Sequence, residues 1–299
     1  MIINKIMQFL RKIYYKFFIK PKKLEQESDL HYAYRKDVLK YYWVYHPHKI
    51  TQEEKDALKY LQNNQLHYFT DDFYRSYLNE EVKVFYDPET SLRFVFHEGK
   101  RLYFKRSWSE ERIQKSYIFL RIEQDPQSPH CYLNQNFTIN KNDIVVDIGS
   151  AEGNFSLNAI EKAKKIIIIE ADKDWIEPLN ATFKPWKEKV TILNKYVSNE
   201  SNEKTSKLDK LVNKRVSFIK IDAEGEEYNI LKGASQILSG NSLKLVICTY
   251  HNPEDAYNVG YLLVSKKFKI EHSKGLMLFL DRWKSPYLRK ALVRAYKND

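Results

Sequence analysis

The chain of 299 residues is poor in the features that mark several protein classes. It has two cysteines, Cys131 and Cys248, too few for a disulfide framework or a thiolate metal site, which fits a reducing compartment. No apolar run approaches the ~20 residues of a membrane span, so a soluble protein is expected. There is no acid before Glu25, whereas seven Lys and Arg precede it. Those seven account for most of the formal net charge of +11 and leave only +4 on the remainder. Basic character is therefore local, and nucleic acid is not expected as a partner. Charged residues make up 30% and hydrophobic residues 43%, a globular balance, and the length allows a full α/β core with an accessory region.

What is present centres on residues 143 to 172. Ile144 to Ile148 and Ile166 to Ile169 are apolar runs of the kind found in parallel strands buried on both faces, separated by one helix length. They predict a right-handed βαβ unit. Gly149 and Gly153 sit where the first strand turns into the helix, and Glu170 ends the second strand 23 positions after Asp147. Ligand contacts are then expected at the carboxyl ends of both strands. A dinucleotide turn needs a middle glycine to admit a pyrophosphate, and that position is Ala151. The D-x-G-x-x-x-G pattern instead fits a nucleoside without phosphates, such as S-adenosylmethionine. Glu170 would accept from both ribose hydroxyls, and Asp147 with the turn would hold a charged amino-acid tail. The expected cofactor contacts are Asp147, Gly149, Ser150, Glu152, Gly153, Asn154, Phe155, Glu170, Ala171, Asp222 and Tyr132.

Further on, Phe218-Ile-Lys-Ile-Asp-Ala-Glu-Gly-Glu-Glu-Tyr-Asn-Ile-Leu-Lys-Gly-Ala, taken with the earlier glycine turn, resembles the signature of FkbM-type methyltransferases over about half of the chain. Glu123 to Tyr132 is similar to a segment of glycan-cluster members. The resemblance implies a class I, S-adenosylmethionine-dependent O-methyltransferase acting on a sugar or glycan hydroxyl in surface glycan biosynthesis. It also implies a Rossmann-like seven-stranded sheet of order 3-2-1-4-5-7-6, here with a smaller α+β N-terminal extension.

Catalysis on a sulfonium methyl is mainly alignment, with a base to take the acceptor proton. His251, ending an apolar strand, is the expected base, with Asp222 and Glu224 orienting it or binding sugar hydroxyls. Asp222, Glu224 and Glu226 could hold a hard cation, but adjacent side chains at a strand end diverge, and no metal is expected. His130 and Tyr132, in the loop of Pro126 and Pro129, would lie near the cofactor, as lid, as substrate contacts or as loop anchors.

Three segments are expected: a basic amphipathic arm over 1–24, an accessory region over 25–125 and the methyltransferase domain over 126–299. In the arm, Ile2, Ile6, Phe9, Leu10, Ile13 and Phe17 share a helical face with Lys5, Arg11, Lys12 and Lys16 largely opposite. Two uses remain open, docking on an anionic membrane surface and packing on the protein itself. The expected location is cytoplasmic, at the inner membrane face if the arm docks. Thr51 to Leu78 has helical spacing, with a Thr51/Glu54 capping box. Val82 to Lys105 reads as a meander that could cover the active site, Ser109 to Gln124 as a helix, Val190 to Val197 as a strand, and Glu226 to Gly240 as one helix. Phe268 to Glu271 with Leu276 to Leu280 reads as a closing hairpin, and Pro286 to Tyr296 as a basic amphipathic helix. Two competing functions carry their own signatures. A nicotinamide-dependent sugar oxidoreductase or epimerase should show the middle glycine, where Ala151 stands, and a Tyr-x-x-x-Lys pair, which Tyr196 to Glu200 does not supply. A non-catalytic membrane-associated scaffold would have no affinity for S-adenosylhomocysteine.

Overall fold

The computed structural model describes residues 7–8, 10–13, 15–213, 215–240, 242–279 and 284–297. The chain divides into two compact units, 75–273 with 291–299, and 1–74 with 274–290. The segment boundaries drawn from sequence run elsewhere: 125/126 falls inside the larger unit, and 274–290 leaves the C-terminal segment for the smaller one.

The larger unit is built on a seven-stranded sheet. Its strands are β1 (Ile144–Ile148), β2 (Lys165–Glu170), β3 (Val190–Asn194), β4 (Phe218–Ile221), β5 (Leu243–Cys248), β6 (Lys269–His272) and β7 (Leu292–Lys297). The order across the sheet is 3-2-1-4-5-7-6, as the resemblance implied. The strands from β3 to β5 are parallel, and β7 runs antiparallel to both β5 and β6. The isoleucine and valine runs of β1, β2, β4 and β5 are almost wholly buried, because helices cover both faces of a parallel sheet. The strand order reverses between the parallel neighbours β1 and β4, and this switch point opens a crevice at their carboxyl ends. The meander, Phe85–Asp87, Leu92–His97 and Lys100–Tyr103, forms as expected. It packs near the helix Ile176–Phe183, where the Tyr103 amide donates to Thr182 Oγ1 at 3.1 Å.

Four expectations fail here for physical reasons. Pro286 to Tyr296 is not a helix: Leu288–Arg289 and β7 are strands. The basic residues that suggested a solvent face are not all outside, since buried Arg294 donates to the carbonyls of Tyr132 and Cys131 at 3.0 and 2.5 Å. The closing hairpin does not form either, because β6 pairs with β7 while Met277–Leu278 pairs with Leu288–Arg289 in the smaller unit. The single helix from Glu226 is two, Glu227–Lys232 and Ser235–Leu238. Between them Gly233 passes so close to Ser198 that a Cβ would lie 2.3 Å from its carbonyl oxygen. The strand expected over Val190 to Val197 ends at Asn194, whose side-chain amide turns back to the Glu170 and Ala171 carbonyls.

The smaller unit packs the helices Asp29–Lys40 and Gln52–Asn63. Thr51 and Glu54 form the capping box, but the second helix stops at Asn63 rather than continuing to Leu78. Asn64 is extended there, and its side chain satisfies the Tyr60 carbonyl. Arg35, fully buried, pairs with buried Glu27 through two nitrogens at 2.7 and 2.6 Å and donates to the carbonyls of Leu61, Gln62 and Lys22. Of the N-terminal arm, Met7, Leu10 and Ile13 are exposed, whereas Tyr15 and Ile19 are buried in this unit's core. Ile2, Ile6 and Phe9 of the expected apolar face, and Lys5 of the opposite one, lie outside the described residues.

Candidate active site

The crevice holds a cavity of about 370 Å³, within the range of small-molecule sites. One wall is the turn after β1. Gly149 has φ +68°, and a Cβ there would lie 1.8 Å from the carbonyl oxygen of Asp222. Only glycine lets the β1 turn pass against the end of β4. Gly153, φ +84°, begins the helix Asn154–Ala159, where a Cβ would meet Leu179 and Phe183 at 2.8 and 3.0 Å.

Glu170 closes the second wall. Its Oε2 accepts from the Ala151 amide and its Oε1 from the Asp172 amide, both at 2.8 Å. The carboxylate is thus aimed by the two turns it lies between. Of the residues expected to touch cofactor, Gly149, Ala151's neighbour in the same turn, lines the cavity together with Glu170, Ala171 and Asp222.

The others stand behind that wall. Asp147 is fully buried, 3.1 Å from Lys220 Nζ, and accepts from Ser156 Oγ at 2.7 Å. Phe155 packs edge-on against Tyr132 with ring centroids 5.5 Å apart. Tyr132 is buried and donates to Asp222 Oδ2 at 2.7 Å, so it fixes that carboxylate instead of lining the cavity. Ser150 and Asn154 are buried in the turn, and the Ser150 hydroxyl has no hydrogen-bond partner among the described residues. Glu152 is buried as well, and burial pushes its carboxyl up to about 7.

Lys220 was missed as a site residue, although a lysine inside Phe-Ile-Lys-Ile is a visible signal. Its ammonium donates to the Gly149 carbonyl at 2.6 Å and sits between Asp147 and Asp222. Burial works against that charge, yet the two carboxylates outweigh it and raise the group above its ordinary range. Trp175, Lys195 and Tyr196 also line the cavity and come from short segments after β2 and β3 that carry no motif.

The expected catalytic residues do meet. His251, 2% exposed, has Nε2 3.5 Å from Asp222 Oδ1 and 3.8 Å from Glu224 Oε2, and Nδ1 2.9 Å from Glu227 Oε1. Burial opposes a charge on this imidazole, but the Glu227 hydrogen bond and the carboxylates of Asp222, Glu227 and Glu224 raise it to about 9. Asp222 is pulled down to about 2 in spite of its burial, by Lys220, His251 and His130 and by the Tyr132 hydroxyl. These carboxylates favour the protonated imidazole. Glu224 lines the cavity with an exposed side chain and φ +53°. Glu226 lines the cavity as well, but its Oε2 is engaged, accepting from Ser198 Oγ at 3.0 Å and Asn229 Nδ2 at 3.2 Å. Glu227 takes its place beside His251. His130, 1% exposed, lies inside the wall, with Nε2 3.8 Å from Asp222 Oδ2 and 3.6 Å from Cys248 Sγ.

The strand order with an antiparallel β7 and a cofactor-sized crevice at the ends of β1, β2 and β4 is the class I methyltransferase architecture. Residues 101–279 match the model of the methyltransferase FkbM domain, and the chain belongs to that family. Among solved structures it is similar to a methyltransferase FkbM from Methylobacillus flagellatus KT, with 20% identity and a TM-score of 0.47 over 63% of this chain and 56% of that one. It is also similar to M. jannaschii TYW2 in complex with AdoMet, with 15% identity and a TM-score of 0.40 over 73% of this chain and 90% of that one. An rRNA methylase from Streptococcus thermophilus matches with 18% identity and a TM-score of 0.38 over 54% of this chain and 90% of that one. No curated protein matches the chain.

Proposed function

We propose that this chain transfers a methyl group from S-adenosylmethionine to a hydroxyl of a sugar or glycan. The observation that carries the cofactor half is the Glu170 carboxylate, held by two backbone amides at the rim of the cavity. An acceptor-only group fixed at the end of β2 suits a pair of ribose hydroxyls. The Gly149 turn, held at backbone contact with the end of β4, lines the same cavity and exposes backbone to a ligand there. When bound, S-adenosylmethionine supplies an electrophilic methyl, and the protein's task is alignment. Asp222 and Glu224, which line the same cavity, accept hydrogen bonds from the incoming hydroxyl and orient it.

The sugar acceptor, and with it a part in surface polysaccharide assembly, is supported by the resemblance of the 218–234 segment to family members that act on sugar hydroxyls. The test is a screen of nucleotide sugars and glycan fragments with methyl-labelled S-adenosylmethionine. Label in a sugar hydroxyl ether supports the reading. Label only in RNA or protein, or none with any acceptor, refutes it.

For the arm we propose docking on an anionic bilayer. Met7, Leu10 and Ile13 are 44%, 52% and 39% exposed, and the seven basic residues before Glu25 supply charge complementarity. Among the described residues no helix is long and apolar enough to cross a membrane. Sedimentation with phosphatidylglycerol vesicles should retain the wild type at low salt and lose it after Leu10→Ser with Lys12→Ser. Equal binding of that variant would refute the docking.

A further inference from the structure

We infer that Asp222, Glu227 and His251 form a divalent-cation site at the acceptor edge of the cavity, with Glu224 closing it from the solvent side. Each of the three offers a donor atom, and these atoms lie within 4.8 Å of one another. The imidazole stands between carboxylates, at 2.9 Å from Glu227, 3.5 Å from Asp222 and 3.8 Å from Glu224. Ligand bonds of ~2.1 Å place adjacent donors ~3 to 3.5 Å apart around a small ion, so modest side-chain shifts complete the shell.

A second observation points the same way. Glu227 is wholly buried, its Oε1 accepts from the Ala223 amide at 2.7 Å, and its Oε2 has no hydrogen-bond partner among the described residues. A buried carboxylate oxygen left alone is costly, and a cation would satisfy it. Lys220, the nearby ammonium, is already committed to Asp147 and the Gly149 carbonyl. Carboxylate oxygens with one imidazole suit Mn²⁺ or Zn²⁺ better than Ca²⁺. Asp222 and Glu224 line the open cavity and provide the entry path. An ion there would hold an acceptor hydroxyl next to the donated methyl. That role rests on the proposed function, whereas the binding does not.

The probe is Mn²⁺, added to protein dialysed against EDTA and followed by the loss of its free electron paramagnetic resonance signal and by calorimetry. One Mn²⁺ per chain is expected. His251→Gln and Glu227→Gln should each weaken it by about tenfold or more. Their S-adenosylhomocysteine affinity should stay within about threefold, which certifies a folded cofactor site in each variant. No uptake of Mn²⁺ or Zn²⁺ at millimolar concentration overturns the inference. So does uptake that survives both substitutions, or that is lost in His130→Gln alone, on the opposite side of Asp222. S-Adenosylhomocysteine binding without Mn²⁺ uptake sinks the cation site and leaves the methyl-donor reading. Mn²⁺ uptake sensitive to both variants, without S-adenosylhomocysteine binding, does the reverse.

Discussion

A Cβ on Gly149 would lie 1.8 Å from the carbonyl oxygen of Asp222, so the turn after β1 and the end of β4 are locked at backbone contact. Gly99 has an equally left-handed backbone, φ +79°, but nothing lies within 4 Å of where its Cβ would stand. The two glycines separate conformational cost from steric cost. Gly99→Ala should cost ~1 to 2 kcal/mol, the penalty of the left-handed region alone. Gly149→Ala should cost more than about 4 kcal/mol or prevent folding. Urea denaturation of both variants measures the difference, and equal costs would contradict the contact.

Glu152 makes stability depend on pH in a direction opposite to that of most carboxylates. Its folded value is raised by burial from 4.5 to about 7, so between these pH values the folded state binds more protons than the unfolded one. Stability from this group is therefore full below about pH 4.5 and falls as pH rises toward about 7. Glu152→Gln should remove the slope and raise stability at pH 8 by up to about 3 kcal/mol. Melting curves of both proteins from pH 5 to 8 test this. A variant that melts lower than the wild type at pH 8 would show that the charged carboxylate is stabilising.

The arm should divide functionally at Tyr15. Deleting residues 1–13 removes exposed Leu10 and Ile13 and should leave the melting temperature almost unchanged. Deleting residues 1–23 also removes buried Tyr15 and Ile19 and the Lys22 carbonyl that accepts from Arg35 at 2.7 Å. That should cost the smaller unit ~3 kcal/mol or more, because two core side chains and a partner of a buried guanidinium are lost together. Circular dichroism melts of the two truncations give the comparison. Identical curves would mean that Tyr15 and Ile19 contribute no packing.

How much was legible beforehand follows from which interactions are local. β1, β2, β4 and β5 could be read because each is mainly apolar, broken only by Asp147 in β1, Lys220 in β4 and Lys244 in β5 and by the charged ends of β2, and Gly149 and Glu170 because turn and strand end mark them. β7 could not be read from spacing. Arg294 looks like a solvent-facing residue until the carbonyls of Cys131 and Tyr132, distant in sequence, are brought over it by the sheet. Glu227 was passed over for Glu226 because a strand-end pattern was extended into a helix, which begins at Glu227 and turns it toward His251. Tyr132 was expected at the right place with the wrong contact. It reaches Asp222, not the cavity, and no spacing rule distinguishes those two ends of a tyrosine.

The central claim is that the crevice at the ends of β1 and β2 binds the methyl donor through Glu170, and calorimetric titration with S-adenosylhomocysteine tests it most directly. The wild type should bind one molecule per chain, and Glu170→Ala should weaken that binding by about tenfold or more, since two charge-assisted hydrogen bonds are lost. Binding of NAD in place of S-adenosylhomocysteine, or equal affinity in wild type and Glu170→Ala, would contradict the account.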